Sequence, residues 1–383
     1  MHLAFALYRY TPFGGLERNA LELALAARER GHRVSVFTRA WRGERPAGIE
    51  VHELAVRAWT NVGLDRGFAR ALAPALERCA PDVVVGFNRI EGVDVFYAAD
   101  PCLAATRAGA GRFALANRRR RAAWERALCA PEASTEILVQ SAREAARHHE
   151  HHGTPRARLR VLPPGLRAEF LAPGATDAPE LRAELGIPRD ALVVLAVGSD
   201  FARKGLDRTL AALARLPEEL RERAWLLAVG AGRPARFERL ARALGLAARV
   251  RFAGGRADVL AAYRTADLLL HPAREENTGS VLLEAQSQGV AVVCSGECGF
   301  APLVAEARAG HVLATPFDAV ELARASAELL EDGERRAELG ARGRAFAQRF
   351  PMERRTALAL DVIERAAAKA KKHRAGAVPA PAR

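Results

Sequence analysis

Long apolar runs are missing from this sequence. None of its 383 residues falls in an uninterrupted apolar stretch of the roughly 18–20 residues that a membrane span needs, so no transmembrane helix is expected. The opening "MHLAFALYRY" lacks the basic start and cleavage site of a signal peptide and reads as a first buried strand. Aromatics are scarce, at 6%. That argues against an aromatic-rich β-sandwich and for small-residue helices packed on sheets. The five cysteines (Cys79, Cys102, Cys129, Cys294 and Cys298) are odd in number and scattered, which excludes a disulfide framework. Cys294 and Cys298 stand too far apart for a C-x-x-C redox pair and read as cytosolic thiols. No repeat of roughly 20–50 residues is evident.

What the chain has is positive charge, +13 net, much of it arginine. Such an excess attracts anionic surfaces: nucleic acid, phospholipid or phosphorylated glycan. The length suits two domains of ordinary size. Short apolar runs bounded by turn signals predict strands near 2–8, 33–38, 50–54, 82–87, 94–99, 136–140 and 159–162. A second series falls near 191–197, 224–229, 249–253, 267–270, 290–294 and 310–313. Helical patterns alternate with them. In "LERNALELALAARERGH", Leu16, Ala20, Leu23 and Ala27 recur at helical spacing and Gly31 ends the run. Alternating β and α segments predict parallel sheets covered on both faces, hence two doubly wound α/β domains facing each other. The first is expected over 1–165 and the second over 166–350, with a Pro/Gly-dotted linker after "LPPG" reaching to about 189. A last helix over 351–368 precedes a tail, 369–383, whose composition predicts disorder.

In such folds ligands sit at the carboxyl ends of strands, where helices begin. "TPFGGLERN" follows the first strand, and Gly14 and Gly15 allow a sharp turn and close backbone approach to a ligand. By itself a Gly-Gly turn is weak evidence. "VGSDFARKGLDR" leaves the first strand of the second domain. There Gly198 loosens the turn and Arg203 and Lys204 stand at a helix start, suited to a diphosphate without a metal. A solvated Arg-Lys pair is the competing account. "GGRADV" carries Arg256 at a third such junction. In "EENTGSVLLEA", Glu276 lies in a loop and Glu284 one turn inside a helix. The amides around Asn277, Thr278, Gly279 and Ser280 can bind phosphate or sugar oxygens. Glu276 can accept from sugar hydroxyls, and Glu284 suits a vicinal diol such as a ribose. Glu276 and Lys204 both read as lining solvent.

Taken in order, "LYRYTPFGGLERN", "VVGFNRIEGVDVFYAAD", "LPPG", "VGSDFARKG" and "ADLLLHPAREENTGSVLLEA" resemble the lipopolysaccharide core glucosyltransferase I family. These are retaining glycosyltransferases of the GT-B fold, family 4, and the likeness runs to about residue 365. The acid pair alone marks only the superfamily, whereas the full set is much more specific. The resemblance implies two Rossmann-like domains across a cleft, with the last helix crossing back to the first domain. It also implies a cytoplasmic enzyme on the inner face of the inner membrane, moving a hexose from a UDP-sugar to a heptose of the lipid A–core. On this reading Arg203 and Lys204 neutralise the diphosphate and Glu284 holds the ribose. Arg256 lies beside the uracil, and Glu276 with the 277–279 amides holds the sugar. Gly15 lets its loop approach the donor, and Asp100 faces the cleft. No metal or other cofactor is implied, because cations and helix amides stabilise the leaving group. The chain departs from the family at Asn19, where relatives carry Asp. It departs again at Ser280, where glucose-transferring relatives carry a bulky β-branched residue. Ser280 either opens room for a 2-acetamido group, admitting a UDP-N-acetylhexosamine beside UDP-glucose, or caps the helix.

Two basic segments lie outside this site. In "RAGAGRFALANRRRRAAWERAL", Arg112, Arg118, Arg119, Arg120, Arg121 and Trp124 mark segment 103–130 as a membrane-surface helix for anionic headgroups, against a solvated cluster. Nucleic acid is disfavoured, with no aromatic stacking platform or reading helix. In "REAARHHEHHG", His148 and His152 share zinc-compatible i,i+4 spacing. No third ligand is suggested, and a solvated basic helix end is the expectation. The chain reads as a monomer. Two other readings stay open: an acceptor from another lipid-linked glycan, such as a capsule or exopolysaccharide precursor, and a non-catalytic binder of anionic surfaces. The complete set Glu276, Glu284, Arg203 and Lys204 argues against the binder.

Overall fold

The inner strands bury both faces, so their sequences are continuous apolar runs without alternation, unlike the edge segments "EVHE" and "LRV". "LVVLAV" and "LLLH" show the pattern. The computed structural model describes residues 1–12, 14–106, 112–172 and 178–376, without the side chains of 112–115, 178–179 and 372–376. The chain forms two compact units, Met1–Pro163 with Glu353–Arg383, and Pro164–Met352.

The first unit holds a seven-stranded parallel sheet. Its strands are β1 (His2–Ala6), β2 (Arg33–Thr38), β3 (Glu50–Glu53), β4 (Val83–Gly86), β5 (Val95–Ala98), β6 (Glu136–Val139) and β7 (Leu159–Val161), in the order β3-β2-β1-β4-β5-β6-β7. The second unit holds a six-stranded parallel sheet. Its strands are β8 (Leu192–Val197), β9 (Ala224–Val229), β10 (Val250–Gly254), β11 (Leu268–His271), β12 (Ala291–Ser295) and β13 (Gly310–Leu313), ordered β10-β9-β8-β11-β12-β13. Every strand predicted from the sequence lies within two residues of an observed one at each end. The strand order reverses between β1 and β4 in one sheet and between β8 and β11 in the other. A crevice opens at the carboxyl edge of such a reversal, because the crossing helices leave toward opposite faces.

Period-two alternation sorts each strand between two helical layers. On β8, Leu192, Val194 and Ala196 enter one core while Val193 and Leu195 enter the other. On β1, Leu3 and Phe5 face one layer and Ala4 and Ala6 the opposite one. The last helix supplies Ala359, Leu360, Val362 and Ile363 to the Leu3/Phe5 layer. Within that unit Arg355, 6% exposed, donates to the Tyr97 hydroxyl and the Pro163 carbonyl, both at 2.7 Å, and to the Gln140 side chain.

Three expectations need correction. The described part of the stretch after Pro164 is no linker, because Leu166, Phe170, Leu181 and Ile187 are buried in the second unit's core, while 173–177 lie outside the described residues. The last helix does not stop at 368 but spans Met352–Gly376, since Ala and Lys in "AAAKAKKHRAG" are strong helix formers. Of the tail, 377–383 lie outside the described residues. His148 and His152 do not sit on a solvated helix end. Helix Ala142–His152 turns Ala145, His148 and His152 inward on one face, and the two imidazoles are 1% and 5% exposed.

Candidate active site

β8 ends at Val197 and β11 at His271, on the two sides of the second unit's reversal point. From β8 the chain passes through Gly198, with φ 149°, a backbone conformation L side chains rarely adopt. A Cβ there would also stand 2.9 Å from Cγ of Lys204. Glycine is thus required for the lysine to fold back across the turn. Gly205 precedes the helix Leu206–Ala214, so Arg203 and Lys204 stand at that helix's entrance.

From β11 the loop brings Glu276 to the same place. The Lys204 ammonium touches Oε2 of Glu276, Arg203 Nη1 lies 3.6 Å from that oxygen, and His271 Nε2 also lies 3.6 Å from it. Arg203 is fixed further by donating to the Glu275 carbonyl at 3.0 Å. The loop itself is strapped down: Gly299 N donates to Glu276 O at 3.2 Å, and Phe300 N to Thr278 O at 2.7 Å. Glu276 is only 6% exposed, so it does not line solvent as the sequence suggests. Lys204 is largely covered as well, at 16% for its side chain. Burial, with Arg203 beside it, pushes the Lys204 ammonium down to about 7, while the touching Glu276 carboxylate acts in the opposite sense. Burial and the two cations hold His271 neutral.

Glu284 lies in helix Ser280–Ser287, and its Oε2 accepts the Tyr263 hydroxyl proton at 2.6 Å. Tyr263 is fully buried, so it orients the carboxylate. Arg256 is paired with Glu184, at 2.7 and 2.9 Å, and with Asp258, at 2.9 and 2.8 Å. Asn277 is buried and Thr278 half-buried. Gly279 is the helix cap, no side chain caps it, and Ser280 is exposed. Ser280 is therefore not the cap.

In the first unit, Gly14 caps helix Gly15–Glu29 without a side-chain bond, and the Glu17 carboxylate folds back over it. A Cβ on Gly15 would meet nothing within 4 Å, and Asn19 is half-buried on the same helix. Asp100 is exposed beyond β5 and pairs with Arg89 Nη1 at 3.3 Å. Arg89 Nε reaches Glu125 Oε2 at 2.6 Å. Glu125, the one acid that interrupts the arginine segment, is buried and also accepts from the amide of Leu103 at 2.8 Å and that of Ala104 at 3.2 Å. The arginines of helix Arg112–Cys129 divide. Arg118 turns inward to the Leu103 carbonyl at 2.7 Å and the Thr106 hydroxyl at 2.8 Å, and Arg121 pairs with buried Asp65 at 3.1 Å. Arg119 and Arg120 are exposed and Trp124 half-buried, while the Arg112 side chain lies outside the described residues.

Sequence reasoning missed His271, Tyr263, Arg89 and Glu125. The first two sit in plain apolar runs, "LLLH" and "AAYRT", that read as core. Glu125 carries the one signal that was legible, a single acid amid arginines.

Two family models cover most of the chain: "Glycosyltransferase Family 4" over 13–170 and "Glycosyl transferases group 1" over 177–346. The chain is 39% identical over 327 residues to the lipopolysaccharide glucosyltransferase WaaG of Escherichia coli (strain K12), covering 84% of this chain and 87% of that protein. A WaaG crystal structure, described as a glycosyltransferase involved in lipopolysaccharide biosynthesis, superposes with a TM-score of 0.89 at 36% identity. It covers 94% of this chain and 99% of its own. Anabaena HepE, solved with UDP and glucose, shares the fold at TM-score 0.75 and 19% identity, covering 95% and 99%.

Proposed function

The chain belongs to the lipopolysaccharide core glucosyltransferase I family of GT-B glycosyltransferases, and from that membership we propose that it transfers a hexose from a UDP-sugar to a heptose of the lipopolysaccharide inner core. The observation that carries this reading is the convergence of Arg203, Lys204 and Glu276 at the reversal between β8 and β11. Two cations at a helix entrance match a departing diphosphate, and the neighbouring carboxylate matches sugar hydroxyls.

The transfer proceeds with retention. The bond from the sugar's anomeric carbon to the diphosphate oxygen breaks first, and the acceptor hydroxyl then bonds to that carbon on the same face. Its proton passes to the leaving diphosphate oxygen. Arg203 and Lys204 meet the charge that develops there, so catalysis needs no divalent metal. Glu276 positions the sugar and is not a general base. Glu284, aimed by Tyr263, takes the ribose diol, and Arg256 flanks the base. Asp100 meets the acceptor. Exposed Arg119 and Arg120 bring the chain to the anionic inner face of the membrane, and no described helix is long and apolar enough to cross it.

Glucose is the donor that WaaG's name carries. An N-acetylhexosamine is the second reading, favoured by the exposed Ser280, which spends no hydroxyl on a cap. UDP release is measured from UDP-glucose and UDP-N-acetylhexosamines, with and without truncated core acceptor. Acceptor-dependent release is expected, reduced about 10²–10³-fold in Lys204→Ala and strongly in Glu276→Gln. Near-normal transfer by both variants refutes the site. Ser280→Ile shifts the donor ratio toward glucose if the second reading holds, and an unchanged ratio removes it.

A further inference from the structure

Beneath the basic helix lies a cluster that the transfer reaction does not use. Cys102, His148 and His152 each present a ligand atom, all within 4.8 Å of one another. Glu125 completes the group, its Oε1 lying 3.6 Å from the Cys102 sulfur and 2.9 Å from His152 Nε2. Cys102, Glu125 and His148 are at most 1% exposed, and the His152 side chain is 5% exposed. His148 Nε2 is buried with no hydrogen-bond partner, while its Nδ1 lies 3.4 Å from the Cys129 sulfur. An unsatisfied buried nitrogen is costly, and its neighbours here are a thiol, a second imidazole and a carboxylate. The three segments involved are separate in sequence: the turn after β5, helix Arg112–Cys129 and helix Ala142–His152.

From this juxtaposition we propose that Cys102, Glu125, His148 and His152 form a structural zinc site in the first unit. One sulfur, two imidazole nitrogens and one carboxylate oxygen make a closed four-ligand set of the kind zinc takes. Metal–ligand bonds of about 2.0–2.3 Å in a tetrahedron put ligand atoms roughly 3.3–3.6 Å apart. The Cys102–Glu125 separation of 3.6 Å already matches, and the Cys102, His148 and His152 atoms, within 4.8 Å of one another, draw together on binding. Calcium and magnesium prefer all-oxygen sets and do not fit. On binding, the Cys102 thiol gives its proton to solvent and its sulfur bonds the metal as thiolate. The Cys129 sulfur beside Nδ1 orients the His148 ring. The site staples the root of the basic helix to the turn that follows Asp100, and it is independent of the donor-site assignment.

Untagged full-length protein, grown with zinc and dialysed against metal-free buffer, is assayed for bound metal by mass spectrometry. One zinc per chain is expected. Removal by a strong chelator lowers the melting temperature and added zinc restores it. Cobalt(II) put in its place gives thiolate-to-cobalt charge transfer and the intense visible bands of a tetrahedral ion. Cys102→Ser and His148→Gln, checked for fold by circular dichroism, each lose the metal, whereas His151→Gln, altering the outward histidine, retains it. Substoichiometric zinc in the wild type, a cobalt spectrum without the thiolate band, or zinc lost only in the outward-histidine variant overturns the proposal. The cobalt spectrum of the wild type decides the matter even if both ligand variants misfold.

Discussion

At the scale of residues, the Lys204–Glu276 contact couples charge to donor binding. Burial and Arg203 drive the lysine down to about 7, and the Glu276 carboxylate opposes that. The lysine therefore loses its proton as pH rises above about 7. The diphosphate of UDP-glucose does not titrate in that range, so the loss is the protein's alone. Affinity for UDP-glucose should fall by about tenfold per pH unit above the lysine's value. Glu276→Gln, which removes the opposing charge, should move the onset to lower pH. Lys204→Arg should flatten the profile, because arginine stays charged. Calorimetric titrations from about pH 6 to 9 read the effect. A flat profile in the wild type would show that burial does not govern Lys204. Between about 7 and 10.5 the unfolded lysine binds its proton more readily than the folded one. The chain therefore gains stability from this group as pH rises through that window.

Elements bring a different selectivity. The arginine run looks uniform in sequence, but one helix turn spreads four consecutive residues around all sides. Arg118 and Arg121 serve the fold through Leu103, Thr106 and Asp65, and Arg119 and Arg120 face outward. Anionic vesicles should therefore bind the wild type in a salt-sensitive manner. Arg119→Ser/Arg120→Ser should weaken this about thirtyfold, since each cation at such a surface contributes about 1 kcal/mol. Arg118→Ser should act on stability instead. Cosedimentation at two salt concentrations tests both, and binding indifferent to salt and to Arg119 and Arg120 would count against the membrane role.

Across the whole molecule, the last helix closes the first unit from the far end of the chain. Arg355 anchors it through the Tyr97 hydroxyl, the Gln140 side chain and the Pro163 carbonyl. Arg355→Met keeps much of the side-chain volume but strands these buried acceptors. A loss of about 3 kcal/mol is expected in urea denaturation, as for hydrogen bonds to a buried charge. A change within experimental scatter would mean the apolar face, Leu360 and Ile363 above all, holds the helix unaided.

The sequence by itself determined the strands, the two parallel sheets, and the loops that carry Arg203, Lys204, Glu276 and Glu284. These follow from local pattern: a strand buried on both faces must be apolar throughout, and glycines mark where the chain turns at its carboxyl end. Only the tertiary structure decided burial and partnership. It buried Glu276, joined Tyr263 to Glu284, divided the arginines, and turned His148 and His152 toward Cys102 and Glu125. Cys102 and His148 are far apart along the chain, and nothing in their local spacing records that β5 and β6 pair side by side. That pairing brings the turn after β5 and the helix after β6 together, and a polar helix face becomes an interior one.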